Sequence, residues 1–256
     1  MFCVRVLGGF MLEDAVGSME PSLTRPRAQA ALAVLAVCGH LGCTRDRLRG
    51  LLWQERNEEQ ARHGLRDTLY AIRGALGSDA LAGQGDSLRL QGSVVESDVG
   101  RFLEALREGR AEEAVDLYTG DLLEGFHLQG ALEFQHWVDA ERGRLLRERQ
   151  RAVSGLARKA EREERWAAAA DWWKRAVEMD PYNGRLVVRR LTALTRAGDR
   201  GNAVQEGEAH RALLATELDL EPDEAFLEVL ATIRRGGGGP VQFFTPPPAG
   251  PAGDRG

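Results

Sequence analysis

Apolar positions in the first third of the chain repeat with helical spacing in some segments and with strand-like spacing in others. The clearest helical stripe has spacings of four, four, three and four residues and consists of Ala61, Leu65, Leu69, Ile72 and Leu76. Such spacing is typical of an amphipathic helix that packs on one face. The pattern therefore predicts a long helix that ends near Gly77, with one side in a core and the other in solvent.

Two further helices are predicted before this one. Residues 27–42 are rich in small apolar side chains and end at a glycine, which is a common helix stop. Thr44 is a predicted N-cap for a short helix over residues 45–53. The buried face of that short helix consists of Leu48, Leu51 and Leu52.

Short strands are predicted on either side of these helices. Residues 4–12 cluster apolar side chains and predict a strand, and glycines bracket two runs at residues 81–83 and 87–90 that predict a hairpin. Three helices followed by a hairpin make a winged helix. A sheet in front of the helices is the variant found in response-regulator output domains, so the fold predicted for residues 1–96 is a winged helix of that type.

Polar side chains line the outer face of the third predicted helix. They are Arg62, His63, Arg66, Tyr70 and Arg73. Arginines at near-helical intervals can pair with phosphates or form forked hydrogen bonds with guanine edges in the major groove. An ordinary solvated helix surface has the same pattern, and this helix by itself leaves both interpretations open.

The charge distribution favours the nucleic-acid interpretation more than the total charge does. The whole chain carries a formal net charge of −5. Residues 21–76 contain nine arginines and five acidic residues, for a local net charge of +4, whereas residues 97–256 contain 23 basic and 28 acidic residues. The first segment is therefore suited to face phosphate, and the second is better suited to face protein.

Composition places the chain among ordinary globular proteins. It has 256 residues, with 43% apolar and 29% charged side chains, enough for one large or two modest domains. No apolar run approaches the roughly 18 residues of a membrane span, and the first residues lack the features of a signal peptide. We therefore expect a cytoplasmic protein without a membrane partner.

Neither a metal site nor a catalytic site is predicted. Cys38, His40 and Cys43 lie close together, but a structural zinc site needs four ligands and no second pair is evident. The glycines at 236–239 lack the Lys-Ser/Thr of a phosphate-binding loop. Since the histidines are dispersed and the carboxylates follow helical surfaces, we expect no cofactor, no metal and no enzymatic activity.

The second half of the chain has helical periodicity and internal repeats. Similar segments align at Ala114, Ala169 and Ala203, and the last two are 34 residues apart, which is the tetratricopeptide period. Asp180-Pro181 and Glu221-Pro222 are predicted to end the second and third units, with the third one stretched through a longer second helix at residues 211–218. Between the first two units, residues 131–165 predict one or two long helices.

Aromatic residues in the repeats are expected to fill the core between helices. At this spacing core packing is favoured over a cofactor-binding role for Trp166, Trp172 and Trp173. Residues 236–256 contain seven glycines and five prolines, so this tail is predicted to be disordered. The predicted organisation is a winged helix over 1–96, an all-helical tetratricopeptide-like domain over 97–235, and the tail.

Several motifs together resemble the bacterial transcriptional activator family, whose members include the antibiotic regulatory proteins of actinomycetes. The strings that carry the resemblance are LGGF (7–10), RAQAALAVLAV (27–37), RDRLRGLLW (45–53), ARHGLRDTLYAIRGALG (61–77), the Ser97-Asp98-Val99 and Phe102 junction, LYTGDLLEGF (117–126) and WVDAERGRLL (137–146). The resemblance covers roughly residues 1–235. It implies a winged helix followed by a tetratricopeptide-like activator domain.

The resemblance also implies a function and a set of DNA contacts. Such activators are expected to bind direct repeats near promoters as dimers and to contact RNA polymerase. The recognition-helix role falls on Arg62, His63, Arg66, Tyr70 and Arg73, with phosphate or wing contacts expected from Arg25, Arg27, Thr44, Arg45, Arg47, Ser87 and Arg89.

A second hypothesis is a protein-interaction scaffold in which the repeats carry the function and the winged helix is a docking module. A docking winged helix would usually replace the outer arginines of the third helix with apolar residues. Arg62, Arg66 and Arg73 are retained in this chain, which favours DNA.

Overall fold

The computed structural model describes residues 1–14 and 23–236, and the chain in these ranges is mainly helical with two small sheets. It forms two compact units, Met1–Leu156 and a second unit that begins at Ala157. The predicted boundary after residue 96 falls inside the first unit and stays a prediction. The predicted tail begins at Gly236, which ends the last helix in a left-handed conformation, and its remaining residues lie outside the described ranges.

Three helices and a hairpin follow one another near the start of the chain, as the periodicity predicts. The helices are α1 (Pro26–Cys38), α2 (Arg45–Leu52) and α3 (Glu58–Leu76). The hairpin strands β4 (Leu81–Gln84) and β5 (Ser87–Leu90) pair antiparallel, and the short β3 (Cys43–Thr44) adds to β5. Helix α1 ends earlier than predicted, because Gly39 has a positive φ and begins a short 3-10 turn.

The predicted first strand is in fact two strands. β1 (Phe2–Arg5) and β2 (Met11–Glu13) pair antiparallel across a turn that contains Gly8, whose φ is +111°. β6 (Val95–Ser97) lies parallel to β1 on its other edge. Apolar residues on both sides of the turn look continuous in sequence, which is why the single-strand prediction was wrong.

The rest of the first unit is mainly helical, with an irregular segment over residues 118–131. It contains α4 (Asp98–Arg107), α5 (Ala111–Leu117) and the start of α6 (Leu132–Arg162). The segment predicted as one or two long helices is this single helix. Buried side chains from both sheets and from α1 to α4 join one core, which Phe134, Trp137 and Leu145 of α6 also enter.

The second unit consists of helices that pack in sequence order. They are α7 (Trp166–Met179), α8 (Gly184–Arg196), α9 (Arg200–Leu218) and α10 (Glu224–Arg235). Ala169 and Ala203, which define the 34-residue repeat, are fully buried in α7 and α9. Residues 211–218 belong to α9, which precedes Glu221-Pro222. In the pair formed by α9 and α10, the longer helix is therefore the first one, and the prediction of a longer second helix was wrong.

The three tryptophans of the repeats have different environments. Trp173 is 1% exposed, as predicted for a core residue. Trp166 and Trp172 are half-buried, and the guanidinium groups of Arg196 and Arg175 lie 5.5 Å and 4.6 Å from their ring centroids. The core prediction was therefore wrong for these two, because one face of each ring remains at the helix surface under a cation.

Candidate nucleic-acid interface

Side-chain caps fix where helices α2 and α3 begin. Thr44 is extended, and its hydroxyl accepts a hydrogen bond from the Arg47 backbone N–H at 3.1 Å. The Asn57 carboxamide oxygen accepts from the Gln60 N–H at 2.9 Å in the same way. Each cap satisfies an N–H group that has no partner inside its helix. The predicted N-cap role of Thr44 is confirmed.

Helix α3 approaches the end of α2 closely at a glycine. Trp53 follows α2 and is 2% exposed. A Cβ atom at Gly64 would lie 2.6 Å from the Trp53 indole Nε1, well inside van der Waals contact. Only a residue without a side chain fits between this helix and the indole, so Gly64 determines how α3 sits on the end of α2.

Gly64→Ala should therefore lower the free energy of unfolding by about 1–3 kcal/mol through overpacking, even though alanine is the better helix former. Gly74 is a matched control in the same helix, because a Cβ there meets nothing within 4 Å. Gly74→Ala should raise stability by up to about 1 kcal/mol. Urea denaturation of both variants measures the contrast, and equal shifts would show that the Trp53 contact is unimportant.

The outer face of α3 carries the predicted base-reading residues. Arg62, His63, Arg66 and Tyr70 are exposed, and Tyr70 reaches 79% exposure, whereas Arg73 is half-buried. Tyr70 is therefore the most exposed aromatic ring of this face, with its hydroxyl available to solvent.

Acidic neighbours engage some of these side chains but not the central arginine. Arg62 forms an ion pair with Glu58 one turn earlier, and the His63 Nε2 lies 3.2 Å from an Asp67 carboxylate oxygen. Within the described ranges, the side chain of Arg66 has no ion pair and no hydrogen bond. Arg66 is therefore the exposed arginine of this face that no acidic neighbour among the described residues engages.

The hairpin lies beside the start of α2. Thr44 is opposite Ser87 in the β3–β5 register, and the Arg45 backbone N–H donates to the Asp86 carbonyl oxygen at 3.0 Å. Arg47 and Arg89 are exposed, while the side chains of Arg45 and Ser87 are half-buried. The predicted phosphate contacts from α2 and from the hairpin thus lie on adjacent elements.

The two arginines before and at the start of α1 differ in their contacts. Arg25 is exposed, and its backbone begins the helix. The Arg27 Nε donates to the Leu52 carbonyl oxygen at 3.2 Å, at the C-terminal end of α2. This bond satisfies a carbonyl that the helix leaves free. Arg27 therefore also has a structural role, which the sequence does not reveal because its partner is 25 residues away.

An additional arginine was missed by the sequence prediction. Arg56 is exposed in the turn between α2 and α3, two residues before α3 begins. It was counted in the basic excess but lies outside any helical stripe, so periodicity gave no reason to select it.

The neighbouring cysteines interact with each other. A hydrogen bond between the thiols lowers the pKa of Cys38 and raises that of Cys43, and burial further raises the pKa of Cys43. Across residues 1–14 and 23–236, no three His, Cys, Asp or Glu side chains cluster as metal ligands would. Of the helices in these ranges, none is long and apolar enough to cross a membrane.

Comparison with known proteins assigns this chain to a protein family. Residues 91–234 match the family model described as bacterial transcriptional activator domain. Because this match covers more than half of the 256 residues, the protein is a transcriptional regulator by class. It belongs to the bacterial transcriptional activator domain family.

One solved structure extends the comparison to most of the chain. It is Mycobacterium tuberculosis EmbR in complex with a low-affinity phosphopeptide, with a TM-score of 0.63 and 20% sequence identity. The alignment covers 92% of this chain and 65% of the EmbR chain, so this chain spans less than two thirds of EmbR. At this identity the likeness shows the fold. No curated protein matches the chain.

Proposed function

We propose that the protein is a sequence-specific DNA-binding transcriptional activator that acts in the cytoplasm. The first three helices and the β4–β5 hairpin form a winged helix of the response-regulator type, with α3 as recognition helix and β4–β5 as wing. The observation that carries this proposal is the outer face of α3, where Tyr70 is exposed and Arg66 has no side-chain partner among the described residues. An unpaired guanidinium is free to make forked hydrogen bonds with a guanine edge.

The other predicted contacts are proposed to bind phosphate. The positive end of a helix dipole lies at the start of α2, where Arg45 and Arg47 are located, and both features favour an anion. Arg89 belongs to the adjacent strand of the hairpin. Phosphate contacts of this kind position a protein on DNA, and base contacts supply its specificity.

The helical domain is proposed to supply the activating function. We assign residues 97–235 to a tetratricopeptide-like activator domain that contacts RNA polymerase and helps to hold two protomers on direct repeats at a promoter. Its stacked helices suit it for protein contacts, since repeat arrays present broad surfaces to partners. Two linked protomers would gain affinity for paired sites through effective concentration.

The deciding experiment uses the full chain and a DNA sequence selected from a random pool at fixed salt. Arg66→Ala should weaken binding to the selected sequence by about 1–3 kcal/mol and relax the preference at one base position. In transcription with purified RNA polymerase, the unmodified chain should raise transcript from a promoter with two copies of the site, and the variant should not.

Arg107→Ala is the matched control. Arg107 is an exposed arginine on α4 whose side chain donates to the Leu103 carbonyl of its own helix, so its removal changes the net charge equally. This variant should bind like the unmodified chain. If both variants bind equally well, α3 does not read bases. Failure to select any sequence would favour the interaction-scaffold function.

A further inference from the structure

Helix α8 contains four arginines and no acidic residue, in a chain whose net charge is −5. Three of them, Arg185, Arg189 and Arg196, are four and seven residues apart, so they lie on one stripe of the helix. Arg190 points to a different side and forms an ion pair with Glu206 of α9. One side of α8 is therefore uniformly basic.

The last turns of α6 add two more arginines to this side. Glu161 of α6 has one carboxylate oxygen 3.4 Å from the Arg189 Nη1, and its other oxygen accepts a hydrogen bond from the Trp173 indole. The end of α6 therefore approaches α8 at the basic stripe. Arg158 and Arg162 lie one turn apart on α6, before and after Glu161. All these residues belong to the second unit, and we call the following arginines the basic face: Arg158, Arg162, Arg185, Arg189 and Arg196.

The arginines of the basic face differ from many others in this protein because they lack acidic partners on their own helices. Elsewhere, an arginine often pairs with an acidic residue one turn away, as in Arg62–Glu58 and Arg151–Glu148. The side chains of Arg158, Arg162 and Arg185 are exposed and form no ion pair or hydrogen bond with any described residue. Arg196 is also exposed, and its guanidinium lies over the Trp166 ring. Like charges one turn apart destabilise a helix, so helix formation does not explain this arrangement.

The dimensions of the basic face suit a short acidic segment. Arg185 and Arg196 are eleven residues apart, which corresponds to about 16 Å along a helix. An extended peptide covers that distance with about five residues, and its alternate side chains point to the same side. Arginine binds carboxylates through forked hydrogen bonds. Arginines that are spread along a face therefore match a series of single carboxylates better than one multiply charged group.

The charge of the rest of the second unit disfavours a nucleic acid as the occupant. Residues 157–236 include 14 basic and 15 acidic side chains, and the basic face with Glu161 accounts for five and one of them. The remaining nine basic and 14 acidic residues carry a net charge of −5. A DNA duplex is charged along its whole length, so it would meet this negative surface as well. A short acidic segment can contact the basic face alone.

We propose that the basic face binds an extended, carboxylate-rich segment of a partner protein. The segment lies along α8, and its alternate Asp or Glu side chains form ion pairs with the arginines of the basic face. Binding at this face requires no contact with DNA, so the proposal stands independently of the function proposed above.

The test titrates the full chain into a fluorescein-labelled peptide of five Glu-Ser repeats and follows fluorescence anisotropy. A few exposed ion pairs should give a dissociation constant in the submillimolar range at about 0.05 M salt. Binding should weaken at least about fivefold at roughly 0.3 M salt, because salt screens exposed charges. A peptide of five Gln-Ser repeats has the same length without the carboxylates and should not bind. Equal binding of the two peptides, or no binding of the acidic one, would overturn the proposal.

A double variant, Arg162→Gln with Arg185→Gln, checks the location of the site. Both side chains are exposed, so the chain should stay folded by circular dichroism while peptide binding weakens roughly five- to twentyfold. The control is Lys174→Gln with Arg235→Gln, which changes the net charge equally. Both of these side chains are exposed, Lys174 acts electrostatically on Glu206, and Arg235 is the last residue of α10. An equal loss in the two double variants would mean that the peptide responds only to total charge, which would contradict the assignment.

Two further measurements separate the basic face from the proposed DNA-binding face. Arg66→Ala should leave peptide binding unchanged, and a loss in this variant would place the peptide on α3 instead. The Arg162→Gln, Arg185→Gln double variant should bind a duplex of random sequence as tightly as the unmodified chain does. Weaker duplex binding by the double variant would make the basic face a nucleic-acid contact and would overturn the proposal.

Discussion

Replacing Trp173 with alanine should lower the free energy of unfolding of the second unit by about 3–5 kcal/mol. The indole is 1% exposed, so its removal leaves a cavity among α7 and its neighbours that the helices refill only in part. The variant also loses a hydrogen bond, since the Trp173 Nε1 donates to a Glu161 carboxylate oxygen at 2.8 Å. Urea denaturation followed by far-UV circular dichroism measures this loss.

Trp172→Ala is the matched control for this prediction. Trp172 is the preceding residue and has the same ring, but it is half-buried beneath the Arg175 guanidinium. A cation–π contact of this kind contributes about 0.5–1 kcal/mol, and a half-buried ring leaves a smaller cavity than a fully buried one, so the variant should lose less stability than Trp173→Ala. Similar losses in the two variants would mean that the buried side of α7 has been assigned to the wrong residue.

Asp98→Ala should be the most damaging change in the first unit, with an expected loss of about 3–5 kcal/mol in the free energy of unfolding. The Asp98 carboxylate accepts hydrogen bonds from the backbone N–H groups of Val6, Leu7 and Val99, at distances between 2.6 Å and 3.0 Å. Alanine leaves these donors buried without partners. Burial raises the pKa of Asp98, and the N–H groups act in the opposite direction.

Glu104→Ala provides the comparison on the same helix. Glu104 is an exposed acid on α4, and a surface change of this kind usually alters stability by less than about 0.5 kcal/mol. Denaturation of both variants under identical conditions separates the specific hydrogen bonds from the loss of a negative charge. If Asp98→Ala unfolds no more easily than Glu104→Ala, the carboxylate does not hold the segment after β1 to α4.

The contacts of the Asp98 carboxylate limit where the chain can be cut to give a folded DNA-binding fragment. Asp98 lies just beyond residue 96, and β6 extends to Ser97 beside β1. A fragment that ends at residue 96 would lose the acceptor for Val6 and Leu7 and would shorten the strand that pairs with β1. For this reason the DNA-binding test above uses the full chain.

The sequence predicted most of the helices because their signals are local. The spacing of Leu65, Leu69 and Ile72 specifies the buried side of α3, and all three are at most 3% exposed. Thr44 acts as the N-cap of α2 through a bond to a backbone group three residues away. The 34-residue spacing of Ala169 and Ala203 likewise placed equivalent positions of α7 and α9 in the core.

Only the tertiary structure decided the contacts between residues that are distant in sequence. Periodicity could not separate Trp173 from Trp172 and Trp166, because the depth of each ring depends on which helices pack over it. By sequence alone, Gly64 is a residue that lowers helix stability. The structure shows that the Trp53 indole leaves no room for a side chain at this position.

The same holds for polar partners. The bond between Arg27 and the Leu52 carbonyl depends on two helices that meet only after folding. So does the burial of the His210 Nε2, which has no hydrogen-bond partner among the described residues. Local spacing fixes which residues form a helix and which side is apolar, since those properties repeat every 3.6 residues. Which atom lies on the other side of each contact depends on how the helices pack. The spacing of residues along the sequence does not specify this packing.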